Sequence, residues 1–400
     1  MEGLSKALIT ETDALSAASL WRREPYRLFF PLGVALAWVG ISHWWLHATG
    51  FLPEYRPVFH AITQIQGFMT CLAVGFLFTM IPRRTGSRPP EVWEIGIGLL
   101  APPLTTIAAW NQRWVLAQIC WLILAATLIA FAVRRFVGSS SGRKPPNAFV
   151  WIPLALLMGI AGSIISTTYG SLGPGYEWLH TFGRGLVLQG MFIGFILGVG
   201  SLALPLMTRG DAPPDAGASR GDRLARLANV SGAALLVVSF WIEATYSLRA
   251  AMLLRAAVIL VALVYNIELW RPPVRKGWNA RAIWLAAWMV PLGYLVAAVF
   301  PEHYRAGLHL TFIGGFALLG LMVSTQVALG HGGYADLMLG KPWQVPAITA
   351  LMLAAVIPRA AMEFDPRRFF LWMEVAAVLF LAATATWAAF LIPKLFGRAK

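Results

Sequence analysis

Twelve long apolar stretches, separated by short polar segments, occupy most of this 400-residue chain. An apolar helix needs roughly 20 residues to cross the hydrocarbon core of a bilayer. Charged residues make up only 12% of the chain, against about 25% in a soluble domain. We therefore predict an all-α, polytopic integral membrane protein with about 12 transmembrane helices, at 28–48, 58–82, 92–110, 114–134, 148–168, 180–207, 226–247, 250–270, 281–300, 306–329, 344–361 and 369–392.

Basic residues are unevenly divided between the two faces of this predicted membrane domain. With a cytoplasmic N-terminus, 23 of the 32 Lys and Arg residues fall on the cytoplasmic side. An excess of this kind is typical of cytoplasmic loops. We predict a bacterial inner (cytoplasmic) membrane protein with both termini inside. The same rule explains the net charge of +14, so we expect no nucleic-acid partner.

The chain contains no segment large enough for a separate soluble domain. We predict a cytoplasmic N-terminal segment over 1–27, one transmembrane domain over 28–393 and a cytoplasmic tail over 394–400. The longest hydrophilic stretch, 208–225, predicts a flexible cytoplasmic linker because of its Pro, Gly and Asp content. All chemistry is therefore expected in or near the bilayer, with membrane lipids as its surroundings.

An internal repeat is visible when the sequence is shifted by 123 residues. Gln66-Gly67 then meets Gln189-Gly190, and a further shift of about 125 residues reaches Gly314-Gly315. The repeat predicts three four-helix units over 28–134, 148–270 and 281–393. Repeated membrane units often form ligand sites where they meet.

Six of the seven histidines fall at one level of the predicted helices, on the side with few basic residues. Imidazole is costly in hydrocarbon and often marks a functional site there. It is also a common ligand of haem iron and copper. The pattern predicts a metal or haem site in the outer half of the membrane. The six candidate ligands are His43, His47, His60, His180, His303 and His309, and the seventh histidine, His331, lies on the inner side.

Three histidines begin equivalent spans, and each has an arginine four residues away. This spacing places two side chains on one helix face. Imidazole can ligate haem iron, and arginine can pair with carboxylates such as haem propionates. An alternative is an interfacial pair that reaches towards lipid headgroups. The predicted cofactor-binding pairs are His60 with Arg56, His180 with Arg184, and His309 with Arg305.

The four remaining histidines are candidate metal ligands without a paired arginine. His43 and His47 lie one turn apart and could chelate one metal ion, or they could be polar members of an aromatic interfacial belt. His303 lies in a short turn between two spans and is a further candidate ligand. His331 would have a separate role, as a ligand or in holding a Gly-rich turn.

Carboxylates are scarce inside the predicted spans. Glu243 and Glu374 both fall near the outer side. An intramembrane carboxylate could relay protons to a redox site. The plainer expectation is pairing with an arginine such as Arg249.

Three stretches of the sequence resemble the NnrS family of membrane proteins. The first is Tyr26–Gly33, and the second runs from His60 through Gln66-Gly67 to Gly86. The third runs from His309 through Gly314-Gly315 to His331-Gly332-Gly333.

The resemblance implies a haem- and copper-containing membrane protein linked to nitric oxide metabolism and nitrosative stress. His60, His309 and His331 match motif histidines of the family. Many members carry His-Ala-His-Glu where this chain has His60-Ala61-Ile62-Thr63, so a copper site that needs the second histidine is placed in doubt. His43 or His47 could substitute.

These observations favour two classes of function. The first is a protein that binds or turns over nitric oxide, or another diatomic ligand, at a b-type haem, as an oxidoreductase supplied by an unknown electron donor. Copper would be a second cofactor. The alternative is a transporter of copper, haem or a small anion along a path lined by His and Arg, which would need a polar track across the membrane. A nitric oxide sensor is a third class, but the chain encodes no soluble output domain.

Overall fold

The computed structural model describes residues 20–137 and 144–397. These ranges contain no β-strand and include 12 helices long and apolar enough to cross a membrane. The all-α polytopic prediction is confirmed. Parts of the predicted terminal segments, 1–19 and 398–400, lie outside the described residues. The helices are α1 Tyr26–Ala48, α2 Pro57–Thr85, α3 Val92–Trp110, α4 Trp114–Val137, α5 Asn147–Leu172, α6 Glu177–Thr208, α7 Arg220–Thr245, α8 Leu248–Ile267, α9 Trp278–Val299, α10 Pro301–His331, α11 Gln344–Phe364 and α12 Pro366–Phe396.

Local capping fixes helix boundaries that hydropathy does not. Ser219 precedes α7, and its hydroxyl accepts a hydrogen bond from the Asp222 N–H at 3.1 Å. The Asp222 carboxylate accepts one in return from the Ser219 N–H at 3.2 Å. This reciprocal capping box starts a helix at its first turn. Residues 220–225 of the predicted linker therefore belong to α7.

Helices α2, α6 and α10 form the centre of the bundle. In their most apolar windows 83%, 83% and 67% of residues are buried, against 56% or less in the other described spans. The surrounding helices form a closed arrangement, because the last helix, α12, packs against the first helix, α1. The indole N–H of Trp38 in α1 donates to the Thr384 hydroxyl in α12 at 2.9 Å.

Each central helix changes to π-helix part of the way along. The π segments are Thr63–Met69 in α2, Leu186–Gly190 in α6 and Leu310–Ala317 in α10. π-helix is rare and frequently occurs at functional sites. All three segments contain the positions that the predicted repeat aligns. The division into three units itself stays a prediction.

Buried amides in two π segments bind neighbouring helices. Gln66 in α2 exchanges hydrogen bonds of 2.8 and 2.9 Å with Gln118 in α4. Gln189 in α6 accepts from Arg255 in α8 at 3.0 Å and from the Tyr294 hydroxyl in α9 at 2.9 Å. The central helices are thereby fixed in rotation against their neighbours.

The ion pair expected for Glu243 involves a different arginine. Glu243 accepts from Arg255 at 2.7 Å, and Arg255 is fully buried with its guanidinium 3.8 Å from the centroid of the Phe240 ring. Arg249 is exposed. The expected pairing of Glu243 with an arginine is therefore confirmed, with Arg255 in place of Arg249. A buried guanidinium inside the bilayer needs a carboxylate far more than one at the surface does.

Candidate functional site

Two histidines on adjacent helices donate to one backbone carbonyl. The Nδ1 atoms of His43 in α1 and His60 in α2 each lie 3.0 Å from the Gly40 oxygen. Because a carbonyl can only accept, each Nδ1 carries the proton and each Nε2 keeps its lone pair. The helices approach closely here, since a Cβ on Gly40 would lie 3.0 Å from the Thr63 side chain of α2. The backbone thus fixes both rings with Nε2 as the available nitrogen.

The His43 Nε2 atom is buried and has no hydrogen-bond partner among the described residues. The ring itself is 3% exposed and lies 6.2 Å from the His60 ring, centroid to centroid. A buried nitrogen acceptor without a partner is costly. The Arg56 backbone also lies beside the His43 ring, although no hydrogen bond of good geometry joins it to Nε2.

His309 in α10 lies at the same end of the bundle, which we call the histidine end. Its Nδ1 donates to the Arg305 carbonyl at 2.7 Å. Its Nε2 accepts from the Arg359 guanidinium of α11 at 2.6 Å. The charge of Arg359 also reaches His60, and His60 and His309 lie within electrostatic range of each other. Helices α2, α10 and α11 therefore place two imidazoles and one guanidinium at the same end of the bundle.

Aromatic side chains cover this group at the histidine end. The Trp44 ring lies 5.1 Å from the His60 ring and 4.5 Å from that of Tyr55. Tyr55 is in the loop between α1 and α2, where burial raises the pKa of its phenol and the charges of Arg359 and Arg305 oppose that rise. The loop thus places a protonated phenol beside the histidines.

The two other candidate ligands near this end, His47 and His303, contact residues other than His60 and His309. His47 donates from Nδ1 to the Leu52 carbonyl at 2.9 Å, and its ring lies 5.4 Å from that of Phe370. The His303 ring lies 4.2 Å from that of Phe364. Within 20–137 and 144–397, no three His, Cys, Asp or Glu residues are grouped to hold a metal ion. The copper site stays a prediction.

His180 lies in a separate part of the histidine end, between α5 and α6. Its ring lies 4.9 Å from that of Tyr169, and its charge neighbour is Arg184. Its Nδ1 is buried and has no hydrogen-bond partner in the described part of the chain. The structure therefore brings together His60 and His309 of the three predicted ligands, and it leaves His180 with its own arginine.

The predicted arginines have other partners. Arg56 precedes α2, and its guanidinium binds Glu54 and the Trp110 carbonyl while stacking 4.3 Å from the Trp110 ring. Arg305 is 64% exposed and lies 3.9 Å from Glu363. Arg359 was not singled out from the sequence, although an arginine inside an apolar span is itself a signal of function.

A model of the NnrS protein family matches residues 20–398. The chain belongs to the NnrS family. The match covers nearly the whole chain and confirms the family resemblance read from the sequence. Membership makes the protein, in general terms, a multi-pass membrane protein of the nitric oxide response. No match was found among curated proteins.

The position at which this NnrS protein departs from the family motif faces away from His309. Ile62 is buried in a small cluster with Phe59 of α2, Ala108 and Ala109 of α3 and Ala117 of α4. A histidine at position 62 would therefore face α3 and α4. Ile62 itself has no contact with His309 in this cluster.

The third motif histidine of this NnrS protein lies at the opposite end of α10. His331 accepts a hydrogen bond from Arg83 of α2, and its ring lies 6.0 Å from that of Tyr26 in α1. Glu24 accepts from Arg27 at 2.6 Å and lies 3.4 Å from Arg83. The group ties α1, α2 and α10 together and is separate from the histidine end.

Proposed function

We propose that this NnrS protein binds a b-type haem at the histidine end, held by His60 and His309, and that it binds or turns over nitric oxide there. The observation that carries the proposal is the pair of neutral imidazoles on α2 and α10. Each donates a hydrogen bond from its Nδ1–H group to a backbone carbonyl. Ligating histidines typically hold their second nitrogen in this way, which orients the ring and raises its basicity.

The surrounding residues fit the polar edge and the flat faces of a haem. Arg359 supplies a positive charge for a propionate, and such pairs are bidentate and strong. Arg305, at the exposed edge, supplies a second one. Trp44 and Tyr55 supply apolar ring surface. When bound, haem contributes an iron that takes nitric oxide as a ligand, a small uncharged molecule that can arrive through the lipid.

The two imidazoles differ in how firmly they are held. His60 is fixed to a neighbouring helix through Gly40. His309 is hydrogen bonded to its own helix, and Arg359 offers its Nε2 a second partner. His60 would hold haem through a ring fixed to a neighbouring helix. His309 would be the less firmly held of the two, because Arg359 offers its Nε2 another partner.

Haem content and nitric oxide binding of the purified protein test this assignment. The protein from haem-replete cells is expected to contain at least one haem per chain. His60→Ala should lose the haem. His309→Ala should keep the haem, which His60 would still hold, and it should bind nitric oxide faster than the wild type because one imidazole competitor is removed. His180→Ala and His303→Ala serve as matched controls and should resemble the wild type.

Two results would contradict the proposal. One is colourless, iron-free protein from haem-replete cells. The other is a His60→Ala variant with the haem content of the wild type.

A further inference from the structure

A partly open pocket of about 100 Å³, which we call the cavity, lies among α1, α2, α6 and α10. It is distinct from the histidine end, since its lining contains none of the histidines. Two lining residues of each central helix are partly exposed. They are Ala73, Phe76, Ile196, Val199, Gly320 and Val323.

The cavity begins where the three π segments end. Met69 is the last residue of the π segment in α2, and Phe316 lies in that of α10. Phe192 follows the π segment of α6 by two residues. All three side chains line the cavity. Because a π turn rotates the residues that follow it, the same local feature in three helices shapes the space between them.

The lining offers an occupant almost no hydrogen bonding. Among the described residues that line the cavity, the one polar side chain is Ser324. Its hydroxyl donates to the Leu321 carbonyl of its own helix at 2.8 Å. A buried water needs two to four polar partners, and apolar cavities of about 150 Å³ stay dry and bind molecules such as xenon. The cavity therefore disfavours water and ions.

We propose that this cavity binds one small, uncharged, apolar molecule drawn from the bilayer, the class to which nitric oxide belongs. Its volume is too small for a porphyrin, and its lining has no charge to hold an anion or a cation. The identity of the cellular occupant as nitric oxide rests on the proposed function. The uptake of an apolar molecule rests on the cavity alone.

Xenon is a suitable probe because it has the size and polarity of such an occupant. Xenon-pressurised crystals of the full chain should show a xenon atom within the lining defined by Val199 and Val323. The double variant Val199→Phe/Val323→Phe should lose it, and each single variant should reduce it. The matched control is Val261→Phe on α8, a position 66% exposed on the outside of the bundle, which should keep the wild-type xenon occupancy.

Three results would overturn the inference. They are ordered water in the cavity, a lipid or detergent chain filling it, or no xenon in the wild-type protein. Xenon uptake needs no haem, so His60→Ala should retain it. If the protein contains no haem but still binds xenon, the proposed function fails and the cavity proposal stands.

Discussion

At the residue scale, backbone carbonyls decide which nitrogen of each histidine is free. His60 and His309 donate from Nδ1 to carbonyls of Gly40 and Arg305, which makes Nε2 the acceptor nitrogen of each neutral ring. In His309 that nitrogen already accepts a hydrogen bond from Arg359. The sequence indicated these two histidines through their positions at the starts of equivalent spans. An arginine inside an apolar span was a signal for Arg359, but the sequence could not show its contact with His309, which joins residues 50 positions apart.

The charge of Arg359 should raise the reduction potential of the proposed haem. Replacement by glutamine removes a positive charge that disfavours the ferric state, so Arg359→Gln is expected to lower the midpoint potential by tens of millivolts. Potentiometric titration measures this. Arg305→Gln is the control, and its effect should be smaller because an exposed charge is screened by water and salt. Equal shifts in both variants would contradict the placement of Arg359.

The buried pair of Arg255 and Glu243 gives a stability prediction. Arg255→Met leaves the Glu243 charge without its partner and is expected to cost about 3 kcal/mol, as the loss of one member of a buried ion pair typically does. The double variant Arg255→Met/Glu243→Leu should recover much of the loss. Thermal unfolding in detergent is the measurement, and Arg249→Met is the control. Equal melting temperatures for Arg255→Met and Arg249→Met would refute the pairing.

At the scale of single elements, hydropathy predicted all 12 helices but not their internal form. The number of spans follows from apolar length alone. The start of α7 at Arg220 depends on the capping box of Ser219 and Asp222, which an apolar window does not detect. The three π segments depend on side-chain packing between neighbouring helices, and their sequences are as apolar as ordinary α-helix. Only the recurrence of Gln-Gly and Gly-Gly pointed to those places.

Helix α9 packs so closely against α10 that a larger residue at their contact should destabilise the protein. A Cβ on Gly293 would lie 2.5 Å from the Gly307 carbonyl oxygen, and backbone atoms cannot rotate away as a side chain could. Gly293→Ala is therefore expected to destabilise the protein by about 1–3 kcal/mol, the usual cost of overpacking. Gly96→Ala in α3 is the control, since its Cβ would meet open space. Similar melting temperatures for the two variants would contradict this packing.

At the scale of the whole molecule, the two ends of the bundle and its centre have different chemistry. The histidine end carries His60 and His309, the opposite end carries His331, and the central cavity between α2, α6 and α10 is apolar. Among the described residues that line the cavity, a polar or charged substrate would find one polar side chain, Ser324, so the cavity gives the transport hypothesis no support. It suits a molecule that crosses hydrocarbon unaided.

The orientation of the whole chain can be tested by cysteine labelling. The excess of basic residues on one side predicts that the histidine end faces outwards. Glu302→Cys at that end should react with a membrane-impermeant maleimide in intact spheroplasts. Asp211→Cys at the other end should react only after permeabilisation. Both positions are exposed, and native Cys71 is buried. The reverse labelling pattern would overturn the predicted topology.

The ferric spectrum of glycine variants, with and without added imidazole, tests the proposed haem ligands most directly. The wild type should show a low-spin spectrum with two imidazole ligands by magnetic circular dichroism. His60→Gly and His309→Gly should each lose that spectrum and regain it when free imidazole is supplied together with haem, whereas His180→Gly should keep it throughout. Retention of the wild-type spectrum in both His60→Gly and His309→Gly would contradict ligation by α2 and α10.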